Sequence, residues 1–369
     1  SDRLFRVGRG DRAPPPADPA ESQALQAHRL VDLILTHAPQ ARFPSGSAAW
    51  MDALSPARLF HIRDGDGADI QRLARLITNR AVGVVFSGGG ARAYAHIGAI
   101  KALREAGEPI DFLGGASMGA VIAAGVAKGW DDEELEARVR KAFVETSPLD
   151  DIALPLLAMT QGLKVSQRLE EHFGDTDIAD LWRPFFCVSS NLTSGTYQVH
   201  QKGSLRQALR ASISLPGVMP PATDGPNVLV DGAVMKNFPA DLMRAVQTGP
   251  ILGVDVTRGR SITAAEVARP SSVWKWIWSG EWRKGPPIVS LLMRAATVSS
   301  GRDLAASREA TDVLVLPDLT GVEIRDWKAF EPAVEAGYRA TKAALEALDR
   351  PLTDLRRRPH LADLYVTSG

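Results

Sequence analysis

One cysteine stands in 369 residues. Cys187 lies in the apolar run FFCVSS; alone it forms no intrachain disulfide and builds no cysteine-rich zinc module, and it reads as a core residue. An excess of either charge is missing as well: lysine plus arginine and aspartate plus glutamate both number 43. A balanced chain has no basic field for a phosphate backbone, and with no recognisable DNA-binding motif no nucleic-acid partner is expected. No apolar run reaches the roughly eighteen residues that mark a membrane-spanning helix. The opening SDRLFRVGRG lacks the basic, apolar, small-residue order of a secretory leader and has no starting methionine, which points to processing or to a chain cut from something longer. A cytoplasmic location is expected from these absences. There is no repeat or heptad, and His28, His37 and His61 have no ligand-like spacing, so neither a metal nor another cofactor is expected.

What is present is a folding chain, 45% hydrophobic and 23% charged, long enough for one large domain or two ordinary ones. It is organised around Val82 to Trp130. Val82, Val84, Val85 and Phe86 form a short apolar strand that ends in Ser87-Gly88-Gly89-Gly90. Ala95, Ala99, Ala102, Leu103 and Ala106 follow at helical spacing, Gly107 stops that helix, and Ile110 to Leu113 make a second strand. This strand runs through Gly115-Ala116-Ser117-Met118-Gly119 into an alanine-rich helix. Strand, sharp turn and helix form the context in which G-x-S-x-G becomes a nucleophile elbow. Ser117 would then be exposed at a helix start, where partial positive charge favours an oxyanion. The plainer reading makes Ser117 a helix N-cap and its glycines packing residues. A second glycine turn some thirty residues upstream favours the catalytic reading, because amides at such a turn suit an oxyanion.

Further along, helices are expected from Asp131 and over Leu163–Phe173, Leu205–Ala211 and Phe330–Leu348, with another at 288–300. Strands are expected at Phe185–Ser189, Tyr197–His200, Asn227–Val230, Ile251–Val256 and Val313–Leu316. Asp231-Gly232-Ala233 closes one of them. An acidic strand end can be a turn residue, and it is also where open α/β sheets place catalytic side chains. His200 reads as a polar strand residue rather than a triad member. Ile152 to Met159 lines an acyl groove or simply packs in the core. Trp274, Trp276, Trp278 and Trp282 meet a lipid interface or form a packed cover. Upstream, residues 1–20 read as a proline-rich, extended linker, 21–36 as a helix or a helix plus strand, His61–Gly67 as a polar stretch and Asp69–Thr78 as a helix.

Gly88-Gly89-Gly90-Ala91-Arg92, Gly115-Ala116-Ser117-Met118-Gly119 and Asp231-Gly232-Ala233, in that order, strongly resemble the patatin-like phospholipases. Within that family the chain looks most like bacterial relatives of neuropathy target esterase. The resemblance covers residues 82–256 and continues weakly on both sides. It implies a three-layer α/β/α fold with a mostly parallel central sheet, and a Ser117–Asp231 dyad without histidine. Gly88, Gly89 and Gly90 correspond to the family's oxyanion loop, and Met118 is a further candidate donor at the elbow. Arg92 either stabilises that loop, faces substrate phosphate or is a surface residue. The activity implied is hydrolysis of long-chain acyl esters, foremost lysophospholipids, through an acyl-enzyme, with a phospholipid or lysophospholipid as the partner bound. The alternatives are a general carboxylesterase, a triacylglycerol lipase or a catalytically weak membrane-associated regulatory module. The expected organisation is a linker and small α/β extension over 1–80, a catalytic domain over 81–320, and a C-terminal helix and tail over 321–369. Peripheral contact with the inner membrane face through the tryptophans belongs to the same expectation.

Overall fold

The protein is described from a computed structural model over residues 3–15, 31–145, 158, 160–257 and 300–355. The tryptophan cluster, the 288–299 part of the expected helix, residues 21–30, and all of 152–159 except Ala158 lie outside these residues.

The chain begins with three parallel strands, β1 (Leu4–Arg9), β2 (Val31–His37) and β3 (Arg58–Arg63), with helices α1 (Ser47–Leu54) and α2 (Gly67–Ile77). Two of these strands depart from the sequence expectation. The sequence reading puts a linker over 1–20 and a polar stretch over His61–Gly67, whereas Leu4–Arg9 and Arg58–Arg63 are strands. In β3 the polarity misleads because a partner on the neighbouring strand neutralises it. Asp32 of β2 is fully buried, and it accepts hydrogen bonds from Arg58 of β3 and from Arg3 at 3.0 Å. The Arg58 guanidinium lies over the Phe60 ring. His37 and His61, unrelated in sequence spacing, meet with ring nitrogens 2.9 Å apart, and His61 Nε2 donates to the Ala179 carbonyl at 2.7 Å. Helix α2 starts where Asp66 accepts the amides of Ala68 and Asp69, an N-cap worth about 1 kcal/mol.

The main sheet holds β4 (Gly83–Phe86), β5 (Phe112–Ala116), β6 (Phe185–Asn191), β7 (Thr196–His200), β8 (Ala222–Asp224), β9 (Asn227–Asp231), β10 (Ile251–Val254) and β11 (Val313–Val315). Strands β11-β10-β4-β5-β6 lie side by side and run parallel, while β7 and β9 pair antiparallel to β6 and β8 antiparallel to β9. β4 and β5 are buried throughout, as a near-continuous apolar strand covered on both faces must be. Val84 and Phe86 enter one core with α3 (Ala95–Glu105) and α4 (Ser117–Lys128). Val85 enters the other. Helices α5 (Asp132–Val139), α6 (Leu163–Phe173) and α7 (Leu205–Ser212) extend the first layer, and Trp130 stacks on Phe173 there. The opposite face is covered by α8 (Ala240–Val246), α9 (Ser300–Glu309) and the N-terminal sheet, whose Phe60 meets Phe112 edge-on at 5.9 Å. An aromatic pair in that geometry adds about 0.5–1.5 kcal/mol to the burial of its rings. The architecture is therefore α/β/α around a mixed, mostly parallel sheet.

The last long helix, α10 (Phe330–Glu346), crosses α3 backbone to backbone. A Cβ on Gly98 would fall 1.8 Å from the Val334 carbonyl, and one on Gly337 1.8 Å from that of Ala95. The segment before α10 reaches the glycine turn after β4, where the Ile324 carbonyl accepts the Ala91 amide at 2.8 Å. Among the described residues no helix is long and apolar enough to cross a membrane.

Candidate active site

Strand pairing alone brings Ser117 to Asp231. β7 occupies one edge of β6 over Cys187–Asn191. The other edge is shared in series: β5 pairs with its first half, ending at Ala116 opposite Val188, and β9 pairs with its second half, placing Asp231 opposite Ser189. Val188 and Ser189 are consecutive, so the residue after Ala116 necessarily arrives beside Asp231. The Ser117 hydroxyl donates to Asp231 Oδ2 at 2.6 Å across 114 positions of sequence.

Ser117 opens α4 directly from β5 with φ at +52°, a left-handed conformation that a residue with a side chain rarely adopts. Such strain costs of order 1–3 kcal/mol and persists only where its surroundings impose it. Close glycine contacts do so here. A Cβ on Gly119 would lie 2.4 Å from the Ser87 carbonyl, and one on Gly88 would lie 2.9 Å from Ser117 Cβ and 2.5 Å from Asn237 Oδ1. The Ser117 amide donates to the Ser212 hydroxyl at 2.9 Å, which in turn donates to the Val188 carbonyl at 2.7 Å.

Asp231 is 1% exposed. Burial raises its carboxyl from the usual range to about 6, against the hydrogen bonds from Ser117 and the Ala233 amide, which pull it down. The turn reading and the dyad reading of this residue use different oxygens: Oδ1 accepts the Ala233 amide at 2.8 Å, while Oδ2 takes the serine. Ser190 supports the backbone by donating to the Asp231 carbonyl at 2.9 Å.

The remaining candidates fall around this pair. The Gly88 amide donates to the Asn237 carbonyl at 3.1 Å, so Gly88 contributes its missing side chain rather than a donor. Gly89 and Gly90 complete the turn, Gly90 with φ at +56° beneath Ile324, and Met118 is the second residue of α4. Arg92 is buried rather than superficial, and lines a cavity of about 220 Å³ with Asp255, Thr257, Arg308, Asp318 and Thr320. His200 bonds the Ser189 hydroxyl through Nε2 at 2.8 Å, and burial lowers its pKa. His96 is fully buried, with Nε2 donating to the Ser87 carbonyl at 2.8 Å and burial holding its pKa down at about 4. Sequence reasoning missed Ser212, Asn237 and His96. The one signal for Ser212 was a serine pair, Ser212 and Ser214, where a helix gives way to Pro216.

The site is thus a buried serine at positive φ, bonded to a buried carboxylate and set beside a glycine turn. Residues 84–244 match the family model described as patatin-like phospholipase. An uncharacterized NTE family protein of Mycobacterium tuberculosis is 35% identical over 353 residues, covering 94% of this chain and 58% of the relative. Patatin-like phospholipase domain-containing protein 6 of Mus musculus is 30% identical over 403 residues, covering 96% of this chain and 30% of its own. Neuropathy target esterase sws of Drosophila melanogaster is 31% identical over 301 residues, covering 76% and 21% respectively. The chain is thus a homologue of the patatin-like phospholipases and of the neuropathy-target-esterase family, and it spans little more than half the length of the first of these relatives.

Proposed function

We propose that the protein is a serine hydrolase of lipid esters, acting through a Ser117–Asp231 dyad, with lysophospholipids as its preferred substrates. The 2.6 Å contact between the Ser117 hydroxyl and Asp231 Oδ2, made by a serine at positive φ between a strand and a helix, carries the reading. Family homology supports lipid esters as the substrate class. In the acylation step Ser117 Oγ bonds to the ester carbonyl carbon while its proton passes to Asp231 Oδ2. Amides of Gly89, Gly90 and Met118 receive the oxyanion, each donor of this kind being worth roughly 100- to 1000-fold in rate. Collapse breaks the bond to the leaving alcohol, which takes the proton from Asp231. Water then attacks the acyl-enzyme, giving its proton to the same carboxylate, and Ser117 is regenerated with release of the fatty acid. A carboxyl raised to about 6 is a better base than an ordinary aspartate and is still ionised at neutral pH.

The preference for a single-chain lipid rests on the resemblance and on its need for only one acyl groove, with the head group left near solvent or Arg92. Contact with a lipid surface through Trp274, Trp276, Trp278 and Trp282 belongs to the same proposal and rests on the sequence. The test is a long-chain fluorophosphonate, with peptide mass spectrometry to find the adduct, followed by fatty-acid release from lysophosphatidylcholine, diacyl phosphatidylcholine and triacylglycerol. Labelling at Ser117 and fastest release from the lysophospholipid are expected. Labelling elsewhere, with Ser117→Ala fully active, overturns the dyad; faster triacylglycerol cleavage overturns only the substrate.

A further inference from the structure

One short turn outside the dyad touches both of its members. Ser212, the last residue of α7, is fully buried. Its Oγ accepts the Ser117 amide at 2.9 Å and donates to the Val188 carbonyl at 2.7 Å. Two residues on, the carbonyl of Ser214 accepts the Asp231 amide at 2.9 Å. Ser214 is itself fully buried, and its hydroxyl donates to the Arg210 carbonyl at 2.7 Å. Arg210 closes the turn from outside, donating to Ser214 Oγ and, at 3.1 Å, to the Pro220 carbonyl.

We propose that Ser212–Ser214 is a clamp that holds nucleophile and base in register, with the Ser212 hydroxyl as the positioning group for the Ser117 backbone. The inference rests on the dyad reading above. A hydroxyl suits this place because it offers one donor and two acceptor sites, so it can join a buried amide to a buried carbonyl. Fixing the Ser117 amide fixes the peptide plane from which its side chain projects, and with it the left-handed conformation at that residue. The Val188 carbonyl at the other end of the bridge belongs to the residue next to Ser189, against which Asp231 is registered. Nucleophile and base are therefore referred to the same two residues of β6, once through strand pairing and once through the clamp. Ser212 bonds the Ser117 amide and not its Oγ, so its effect must appear as misplacement of the nucleophile. A displacement of about 1 Å at a reacting group is enough to cost on the order of 100-fold in rate.

The test uses the full chain and a soluble short-chain ester. Ser212→Ala should lower kcat about 30- to 100-fold with KM within about twofold, and fluorophosphonate labelling of Ser117 should slow by the same factor. The Ser117 hydrogen bond holds the Asp231 carboxyl down, so weakening it should also move the acid limb of the rate profile to higher pH. A role confined to stability would move neither kcat nor that limb in the folded protein. Ser212→Thr, which keeps the hydroxyl, should recover most of the loss. A folded Ser212→Ala with kcat within about threefold of the parent and an unmoved limb overturns the clamp. Should Ser212→Ala not fold, Arg210→Met decides: a fall in kcat at constant KM supports the clamp, and unchanged kcat overturns it. Ser117→Ala is measured alongside. If it retains full turnover the dyad itself falls and the clamp with it, whereas an inactive Ser117→Ala beside an unimpaired clamp variant removes the clamp alone.

Discussion

Asp32 in the N-terminal sheet and Asp231 at the edge of β6 are both almost wholly removed from water, yet they are held in opposite ways. Asp32 is gripped by Arg58 and Arg3. Asp69, Asp111 and Asp255, also buried, have Arg63 and Arg72, Arg75, and Arg308. Asp231 is bonded through its carboxyl to a hydroxyl and an amide, and among the described residues it forms no ion pair. A guanidinium fixes a carboxylate as an anion and fills its lone pairs. A hydroxyl instead leaves burial unopposed by positive charge, so the carboxyl is raised to about 6 and its second oxygen faces a proton it can take. On the proposed dyad, that difference separates carboxylates that organise structure from the one that takes the serine proton.

The largest expected effect breaks the chemical side of that comparison. Asp231→Asn should lose at least about 100-fold in turnover on a monomeric ester while folding normally. In the parent, kcat/KM should rise as pH passes through about 6, since only the ionised carboxylate accepts the serine proton. The same group makes a stability prediction of opposite sense. Its folded pKa lies above the unfolded one, so between about pH 4 and 6 the folded state binds more protons. The stabilisation from Asp231 is fully present below pH 4 and is lost as pH rises through 6, by on the order of 3 kcal/mol. Denaturant unfolding should therefore show Asp231→Asn gaining on the parent as pH goes from 4 to 7. A pH-independent gap between the two proteins would contradict the assignment.

The structural side should respond in the other currency. Asp32→Ala strands Arg58, which is buried among apolar rings, and removing one partner of such a pair costs about 3–5 kcal/mol. Urea unfolding would read that loss, while kcat/KM of the molecules that remain folded should stay within about threefold. A large fall in kcat/KM with little change in stability would put the N-terminal sheet in the site's machinery.

The contrast also marks how far residues alone carry the reading. The glycine turn, the strand into Gly115–Gly119 and the helices around them were legible, because each is a local pattern: apolar run, glycine stop, helical spacing. β1 and β3 were not: LFRVGR is too polar to announce a strand, Arg9 staying exposed beside Asp11, and Arg58 of RLFHIR looks solvent-facing until Asp32 is seen on the neighbouring strand. Asp231 was legible as a turn residue from Asp-Gly-Ala, and that role is kept by Oδ1. Its approach to Ser117 depends on β5 and β9 sharing one edge of β6, a register no local pattern encodes. Gly88 carries a similar lesson. Its type was legible as a close-approach glycine, but the carbonyl of Asn237, 149 positions away, takes its amide. Ser212 escaped because a serine at a helix end is ordinary until its neighbours are known.

The smallest expected effect concerns His200, the residue that would turn the site into a histidine-based triad. Its Nε2 is held by the Ser189 hydroxyl on β6, and Ser189 is the residue opposite Asp231, so β6 lies between the strand of His200 and that of Asp231, and the imidazole forms no bond to the dyad. Burial lowers its pKa by desolvating the charged ring, which favours the neutral imidazole. His200→Ala should thus remove one side-chain hydrogen bond, worth about 1 kcal/mol of stability, and leave kcat/KM within about threefold. Its acid limb should stay where the parent's lies, because the group titrating there is Asp231. His200→Gln, which can still bond Ser189, should recover the stability and leave the kinetics alone. An inactive His200→Ala beside an active Asp231→Asn would reverse the roles of the two residues and erase the distinction between Asp231 and the arginine-bound carboxylates. Equal and partial losses in both would mean that Ser189 transmits a proton or a charge between them, which the double variant would reveal as a loss no larger than either single one.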